Sequence, residues 1–260
     1  MNKHETIHEN MLKDLKRLGV KENGCLLVHA SYKSLGPSVK GIEEVAEALK
    51  VAVGKEGTLM FPALSYEAVG AENPHFDIKR TPSCVGAIPE WFRQQPGVLR
   101  SMSPTHSVTA IGAGAEDMLS GHDLDDTPAG ANSPFRKLRD IGGQILMLGC
   151  SLNTNTSMHG VEELTQPPYL FEKAITYACT DWDGNIKEIT TRRHHFHNKY
   201  GEYVEQRYDR LRFVLSKDML KSGTVLNAVC YLIEAKPMWD MAEAILQEDP
   251  LFFVDGMDVR

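Results

Sequence analysis

Two short apolar runs on either side of an amphipathic segment fix the class of fold near the start of the chain. Residues 25–29 (Cys-Leu-Leu-Val-His) and 58–61 (Thr-Leu-Met-Phe) are apolar over strand length. Between them Ile42, Val45, Ala46, Ala48, Leu49, Ala52 and Val53 recur at helical spacing, and Gly54 closes the segment. A strand, a helix and a second strand joined by a crossover of that length call for parallel pairing. An α/β fold is therefore predicted.

The remaining pattern extends this reading. Helices are predicted over residues 6–18, 86–94, 115–119 and 133–139, and strands over 107–112 and 144–149. Residues 67–82 and 121–130 are polar, rich in turn formers and without period, which suits loops lying over a site. After about residue 167 the character changes. Residues 174–181 and 185–191 read as two strands around Trp182-Asp183-Gly184. A helix over 203–211, a strand over 225–235 and a helix over 238–246 complete the chain. The expected architecture is α/β: one domain over residues 1–260, with a mixed, partly parallel central sheet flanked by helices. A late antiparallel sub-domain is expected from about residue 167 onward.

At 260 residues the chain can bury a full core. Its formal net charge of −7 argues against nucleic acid or an anionic membrane as a partner, and suits a cationic small-molecule substrate. The five cysteines are scattered, without metal-ligand or redox spacing, and read as reduced thiols in a cytoplasmic protein. The first ten residues do not have the apolar core of a secretion signal, and no run reaches the length of a membrane span. A soluble monomer or homodimer is expected.

Chemistry concentrates after the strand at 144–149. There Asn155-Thr156-Ser157-Met158-His159 is followed by Glu162 and Glu163. In a helix starting near Asn155 or Thr156, either carboxylate lies within a turn of the imidazole. A carboxylate on one ring nitrogen leaves the other free as a general base. Thr156 can supply a hydroxyl to an oxyanion. Residues 29–36 (His-Ala-Ser-Tyr-Lys-Ser-Leu-Gly) form a polar loop where the first strand ends, a usual place for ligands in α/β sheets. Ser31, Lys33 and Ser34 offer donors there, and Gly36 permits close backbone approach. His106, in Pro-Thr-His-Ser-Val (104–108), competes with His159 for the role of base but has no carboxylate at helical spacing. The segment 192–197 (Arg-Arg-His-His-Phe-His) is the densest cluster of basic residues. His195 and His197 would share one side of an extended strand and could hold a metal, but no cysteine or carboxylate partner is apparent and no metal is expected. The glycines after residue 112 do not complete a dinucleotide loop, and there is no nucleophile elbow or Walker loop.

Asn155-Thr156-x-x-His159-x-x-Glu162 resembles the Asn-Thr-x-x-His-x-x-Glu motif of the aminoglycoside 3-N-acetyltransferase family. Residues 26–36, 57–62, 81–86, 103–108 and 128–138 resemble further blocks of that family, in its order. The resemblance implies acetyl-coenzyme A as co-substrate, an amine acceptor and no metal. It places the cofactor on Ser31, Lys33, Ser34, Leu35 and Gly36, with Thr105, His106 and Ser107 near the thioester. His159, Glu162 and Thr156 are then the catalytic set. Members often carry acidic residues where this chain has 192–197, a departure that puts an aminoglycoside acceptor in question. Two other readings are a coenzyme A-binding protein without turnover and a metal-dependent enzyme using His194, His195 and His197.

Overall fold

The computed structural model describes residues 6–256. The elements are α1 (Ile7–Leu18), β1 (Cys25–Ala30), α2 (Ile42–Val53), β2 (Thr58–Pro62), β3 (His75–Asp77) and α3 (Ala87–Phe92). Then come β4 (Leu99–Arg100), β5 (Val108–Gly112), α4 (Ala115–Leu119), α5 (Pro134–Asp140), β6 (Gln144–Leu148) and α6 (Met158–Thr165). The last are β7 (Ile175–Thr180), β8 (Ile186–Thr191), β9 (Glu205–Gln206), α7 (Leu211–Val214), β10 (Leu220–Val225), β11 (Ala228–Glu234), α8 (Ala235–Glu248) and β12 (Val254–Asp255).

Seven strands form the main sheet in the order β10-β11-β6-β1-β2-β5-β4. β1 pairs parallel with β2 and with β6, and the other neighbours are antiparallel. The parallel strands are apolar over most of their length because both faces are covered, with Thr58 and Gln144 at the starts of β2 and β6 and His29 near the end of β1. Leu26 and Val28 of β1 join the core under α1, α2 and α3, while Leu27 points into the core under α5, α6 and α8. Leu59 and Phe61 alternate with Met60 in the same way, as do Leu146 and Leu148 with Ile145 and Met147. α1 is set by a capping box, in which Thr6 and Glu9 satisfy each other's backbone N–H, and by the left-handed Gly19 at its end.

β1, β2 and β6 therefore end on one edge of the sheet, and β5 begins on it. Residues from these four ends, together with α6, surround the site described below.

The late part of the chain is distributed differently from expectation. β7 and β8 form a separate three-stranded sheet with β3, but β10 and β11 return to the main sheet beside β6. The antiparallel pairs after residue 167 are thus shared between the two sheets. β3 has no sequence signal: it is three residues long inside a polar stretch and is held by parallel pairing to β7. β10 is hidden because its turn into β11 uses Leu226 at φ 52° and Asn227, without a glycine; the Leu226 N–H is received by Asp14 at 2.9 Å. Instead of a helix over 203–211 there is a short strand, a 3-10 turn at Tyr208–Arg210 and a single turn at Leu211–Val214. Tertiary contacts override the helical spacing: Tyr208 is buried, and Arg207 and Arg210 both pair with Asp255 of β12.

Candidate active site

The strand ends and α6 border a cavity of about 770 Å³. Its wall takes His29, Ser31 and Lys33 from the end of β1, His106 from the approach to β5, Thr156 and His159 from the start of α6, and Arg193 and His194 from the segment after β8. Pro62, Leu64, Val85, Ala87 and Phe196 supply apolar surface.

His159 is held by a chain of hydrogen bonds. Tyr208 donates its hydroxyl to Glu162 Oε2 at 2.7 Å, and Tyr169 donates to Glu162 Oε1 at 2.9 Å. The Tyr208 oxygen, 3.1 Å from His159 Nδ1, must then accept, so Nδ1 carries the proton. Glu162 Oε2 lies 3.5 Å from the same nitrogen, and the Glu162 side chain is wholly buried. Among the described residues no hydrogen-bond partner takes Nε2, which leaves it as a free lone pair on a residue of the cavity wall.

His106 belongs to a second chain. His194 Nε2 lies 2.7 Å from Glu163 Oε1, and His194 Nδ1 lies 3.2 Å from His106 Nε2. Thr105 Oγ1 is 2.9 Å from His106 Nδ1. The pattern closes with Thr105 donating to His106, His106 to His194 and His194 to Glu163. Both nitrogens of His106 are thereby engaged, unlike those of His159. Burial, reinforced by neighbouring histidines, holds His106 and His194 well below the ordinary imidazole range. Burial pushes Glu163 up to about 7, against hydrogen bonds from Thr127 and from the Ala129 N–H. The His194–Glu163 pair is therefore biased toward its neutral form.

At the end of β1, the Thr156 N–H donates to His29 Nε2 at 3.1 Å, and the Thr156 hydroxyl lies 2.8 Å from the same atom. Nε2 is an acceptor, so His29 carries its proton on Nδ1, a buried nitrogen with no protein partner. The Asn155 Nδ2 group is likewise buried and unpartnered, while its Oδ1 receives the Ser157 N–H at 3.2 Å. Both residues line the cavity. Burial, followed by the neighbouring His159, lowers His29 to about 3.

These shifts set how the fold responds to acid. The depressed values of His29, His106 and His194 give stability that is present above the unfolded imidazole value of 6.5 and lost as pH falls below it. Glu163, raised from 4.5 to about 7, acts oppositely: it favours the fold at low pH and disfavours it as pH rises through that window. Near pH 5.5, three protons gained on unfolding at these histidines less one released at Glu163 should make stability fall by roughly 2–3 kcal/mol per pH unit, and the buried His122, also lowered, acts in the same direction. Urea unfolding at pH 7.0, 6.0 and 5.5 checks this; a stability that is flat over the range would contradict the buried neutral histidines.

The residues singled out from sequence divide into groups. Ser31, Lys33, His106, Thr156 and His159 line the cavity. Ser34, Leu35 and Gly36 build the turn behind it: Ser34 Oγ is 2.8 Å from Ser31 Oγ, Leu35 is wholly buried, and a Cβ on Gly36 would meet Asn227 at 2.8 Å. Ser107 is turned away, receiving Arg100 Nε at 2.8 Å and donating to the Ala63 carbonyl at 2.8 Å. Thr156 does not offer a free hydroxyl, since it faces His29. Glu162 serves His159, while Glu163 serves His194. His195 and His197, weighed above as metal ligands, gather no third donor among the described residues. Their rings stack at 3.9 Å, and His195 pairs with Glu172. Among the described residues, the donors close enough to hold an ion are one ring nitrogen each from His106, His159 and His194, within 4.8 Å of one another. Each of these rings has another nitrogen fixed by an oxygen, which suits either a proton relay or a bound ion. His29 and Tyr208 escape a sequence reading as site residues, and His194 and Glu163 are read there without their mutual pairing, because the partners are remote along the chain.

The thiols near the cavity are unsuited to nucleophilic attack. Burial raises Cys84 and takes Cys150 up to about 11, and each donates to a backbone carbonyl, of Leu64 and His29 respectively.

Residues 27–247 match the family model described as aminoglycoside 3-N-acetyltransferase. Aminoglycoside N(3)-acetyltransferase VIII of Streptomyces fradiae is 30% identical over 251 residues, covering 86% of each chain. Aminoglycoside N(3)-acetyltransferase IV of Salmonella sp is 30% identical over 253 residues, covering 94% of this chain and 88% of the relative. Aminoglycoside acetyltransferase AAC(3)-IVa as apoenzyme superposes with TM-score 0.78 at 28% identity, over 97% of this chain and 92% of the other. AAC-IIIb, solved as a binary complex with CoASH, gives TM-score 0.80 at 27% identity, over 94% and 97%. A match that begins inside β1 and runs to the penultimate residue of α8 takes in every element that borders the cavity: the chain belongs to the aminoglycoside 3-N-acetyltransferase family and is an acyltransferase.

Proposed function

We propose that the chain transfers the acetyl group of acetyl-coenzyme A directly to the amine of a small molecule, with His159 as general base. The observation that carries the assignment of the base is the asymmetry between the histidines. His159 keeps an unengaged ring nitrogen on the cavity, with its other nitrogen fixed by Tyr208 and Glu162, whereas both nitrogens of His106 and of His194 are taken. An amine arrives as ammonium and must lose a proton before it attacks. Nε2 takes that proton, and the buried Glu162 carboxylate, 3.5 Å from Nδ1, favours the imidazolium that results. The new N–C bond forms as the C–S bond breaks. Of the two protons the nitrogen loses overall, one ends on the coenzyme A thiol and the other in solvent. The unpartnered His29 Nδ1–H and Asn155 Nδ2 are the donors for the tetrahedral oxyanion, in place of Thr156. Holding both substrates in one cavity supplies the proximity, and the protonated thiols of Cys84 and Cys150 have no part.

The cofactor end is assigned to the turn after β1. Lys33 there is exposed and lines the cavity, so its ammonium can meet a phosphate, and the apolar wall suits a pantetheine arm. Neighbouring structures support this in kind, one holding CoASH and another, AAC(3)-IVa as a histidine-to-alanine variant, holding a gentamicin. Calorimetric titration with coenzyme A should give binding to the wild type and about tenfold weaker binding to Lys33→Ala, the usual worth of one charge-assisted contact. Absence of wild-type binding at millimolar coenzyme A would overturn the reading; an unchanged Lys33→Ala would remove Lys33 from it.

A further inference from the structure

The charge of the cavity wall is the opposite of what a polycationic acceptor needs. Among the described residues that line it there is no aspartate or glutamate, and two fixed cations, Lys33 and Arg193, are present. Glu67, Glu72, Asp123, Asp125 and Asp126 of the acidic loops do not line the cavity. Asp123 pairs with Lys187, and Asp125 receives the Asn132 N–H at 3.0 Å. Glu162 and Glu163 lie behind the histidines, each buried and already hydrogen-bonded.

The two arginines of the basic segment also have different fates. Arg192 lies over Phe171, its guanidinium carbon 3.6 Å from the ring centroid, and does not line the cavity. Arg193 does line it. Its guanidinium donates to the Tyr66 carbonyl at 3.0 Å through Nη2, and among the described residues it has no carboxylate partner; the nearby Glu172 is taken by His195. That carbonyl orients the fork while leaving its charge uncompensated. An arginine so presented on the wall of the cavity that also takes His159 is a receiver for a carboxylate or a phosphate.

We propose that the acceptor is an amine that also carries an anionic group, a carboxylate or a phosphate, which Arg193 binds while the amine faces His159. This rests on the acetyl-transfer reading above and names its substrate class. Lys33 is left to the cofactor, so the two cations serve the two substrates. The anion fixes the acceptor end of the cavity and turns the amine toward the base, whereas a molecule with several ammonium groups meets Arg193 without any counter-charge in the wall.

The test measures release of free thiol from acetyl-coenzyme A with matched acceptors: glucosamine 6-phosphate against glucosamine, 4-aminobutyrate against its amide, and gentamicin as the polycation. The anionic member of at least one pair should have a kcat/KM about tenfold or more above its neutral partner, carried by KM. Which pair shows the effect distinguishes phosphate from carboxylate. In Arg193→Gln that preference should collapse, Arg193→Lys should restore part of it, and Arg192→Gln should keep it whole. Efficient turnover of gentamicin with no anionic preference would overturn this proposal and leave acetyl transfer standing. A preference that survives in Arg193→Gln, with the variant folded by circular dichroism, would overturn it as well. Failure to bind coenzyme A, with no thiol release for any amine, would overturn the acetyl-transfer reading itself and this proposal with it.

Discussion

Gly160→Ala is expected to destabilise the protein by about 2 kcal/mol, even though the same exchange in an exposed helix stabilises by about 1 kcal/mol. Gly160 follows His159 in α6, where the helix presses on α8. A Cβ there would stand 2.2 Å from Trp239 Cη2 and 2.8 Å from Cζ2. The indole has no way to yield: Trp239 is wholly buried, and its Nε1 donates to Ser157 Oγ at 2.8 Å. Helix propensity and overpacking thus oppose each other, and overpacking wins because the clash is with a pinned ring rather than a flexible tip. For a chain of this size the loss should lower the melting temperature by roughly 4–8 °C. Trp239→Phe removes the atoms that clash, so Gly160→Ala should cost less in that background, a coupling that a double-mutant cycle reads directly. A Gly160→Ala variant more stable than wild type would contradict the packing of α6 on α8, and with it the placement of the base.

How far the sequence discloses this protein depends on the range of the interaction involved. The span of α2 can be read without error, because its apolar spacing and Gly54 are local signals, and a carboxylate partner for His159 at Glu162 or Glu163 follows from their separations of three and four residues, with the structure pairing it to Glu162. The parallel centre of the sheet is implied by β1, α2 and β2. What stays hidden is held by distance. His29 meets Thr156 across 127 positions, Tyr208 meets Glu162 across 46, and His194 meets Glu163 across 31. No period or motif connects such pairs. The same cause leaves Glu163 as an open alternative to Glu162, since it stands at helical spacing from His159 yet turns to another histidine. It also hides the difference between Arg192 and Arg193, adjacent in sequence and opposite in surroundings. The sequence assigns Thr156 to the oxyanion because its hydroxyl sits at a helix start beside the base; His29, brought in by the parallel pairing of β1 with β6, takes that hydroxyl instead.

His159→Ala carries the largest effect of all. It removes the one imidazole nitrogen, among the described residues on the cavity, that is free to accept a proton, and leaves intact Lys33, the apolar wall and the unpartnered groups of His29 and Asn155. Turnover should therefore fall by about two to four orders of magnitude, the usual contribution of a general base, with little change in affinity for coenzyme A. His106→Ala disturbs a chain whose nitrogens are already engaged, and should act less on turnover. The decisive measurement is the rate of thiol release from saturating acetyl-coenzyme A and amine, taken for both variants alongside a coenzyme A titration. A collapse confined to His159→Ala, with binding preserved, is the result this geometry predicts. A His159→Ala enzyme within about tenfold of wild type, beside a His106→Ala enzyme that has lost turnover, would contradict it.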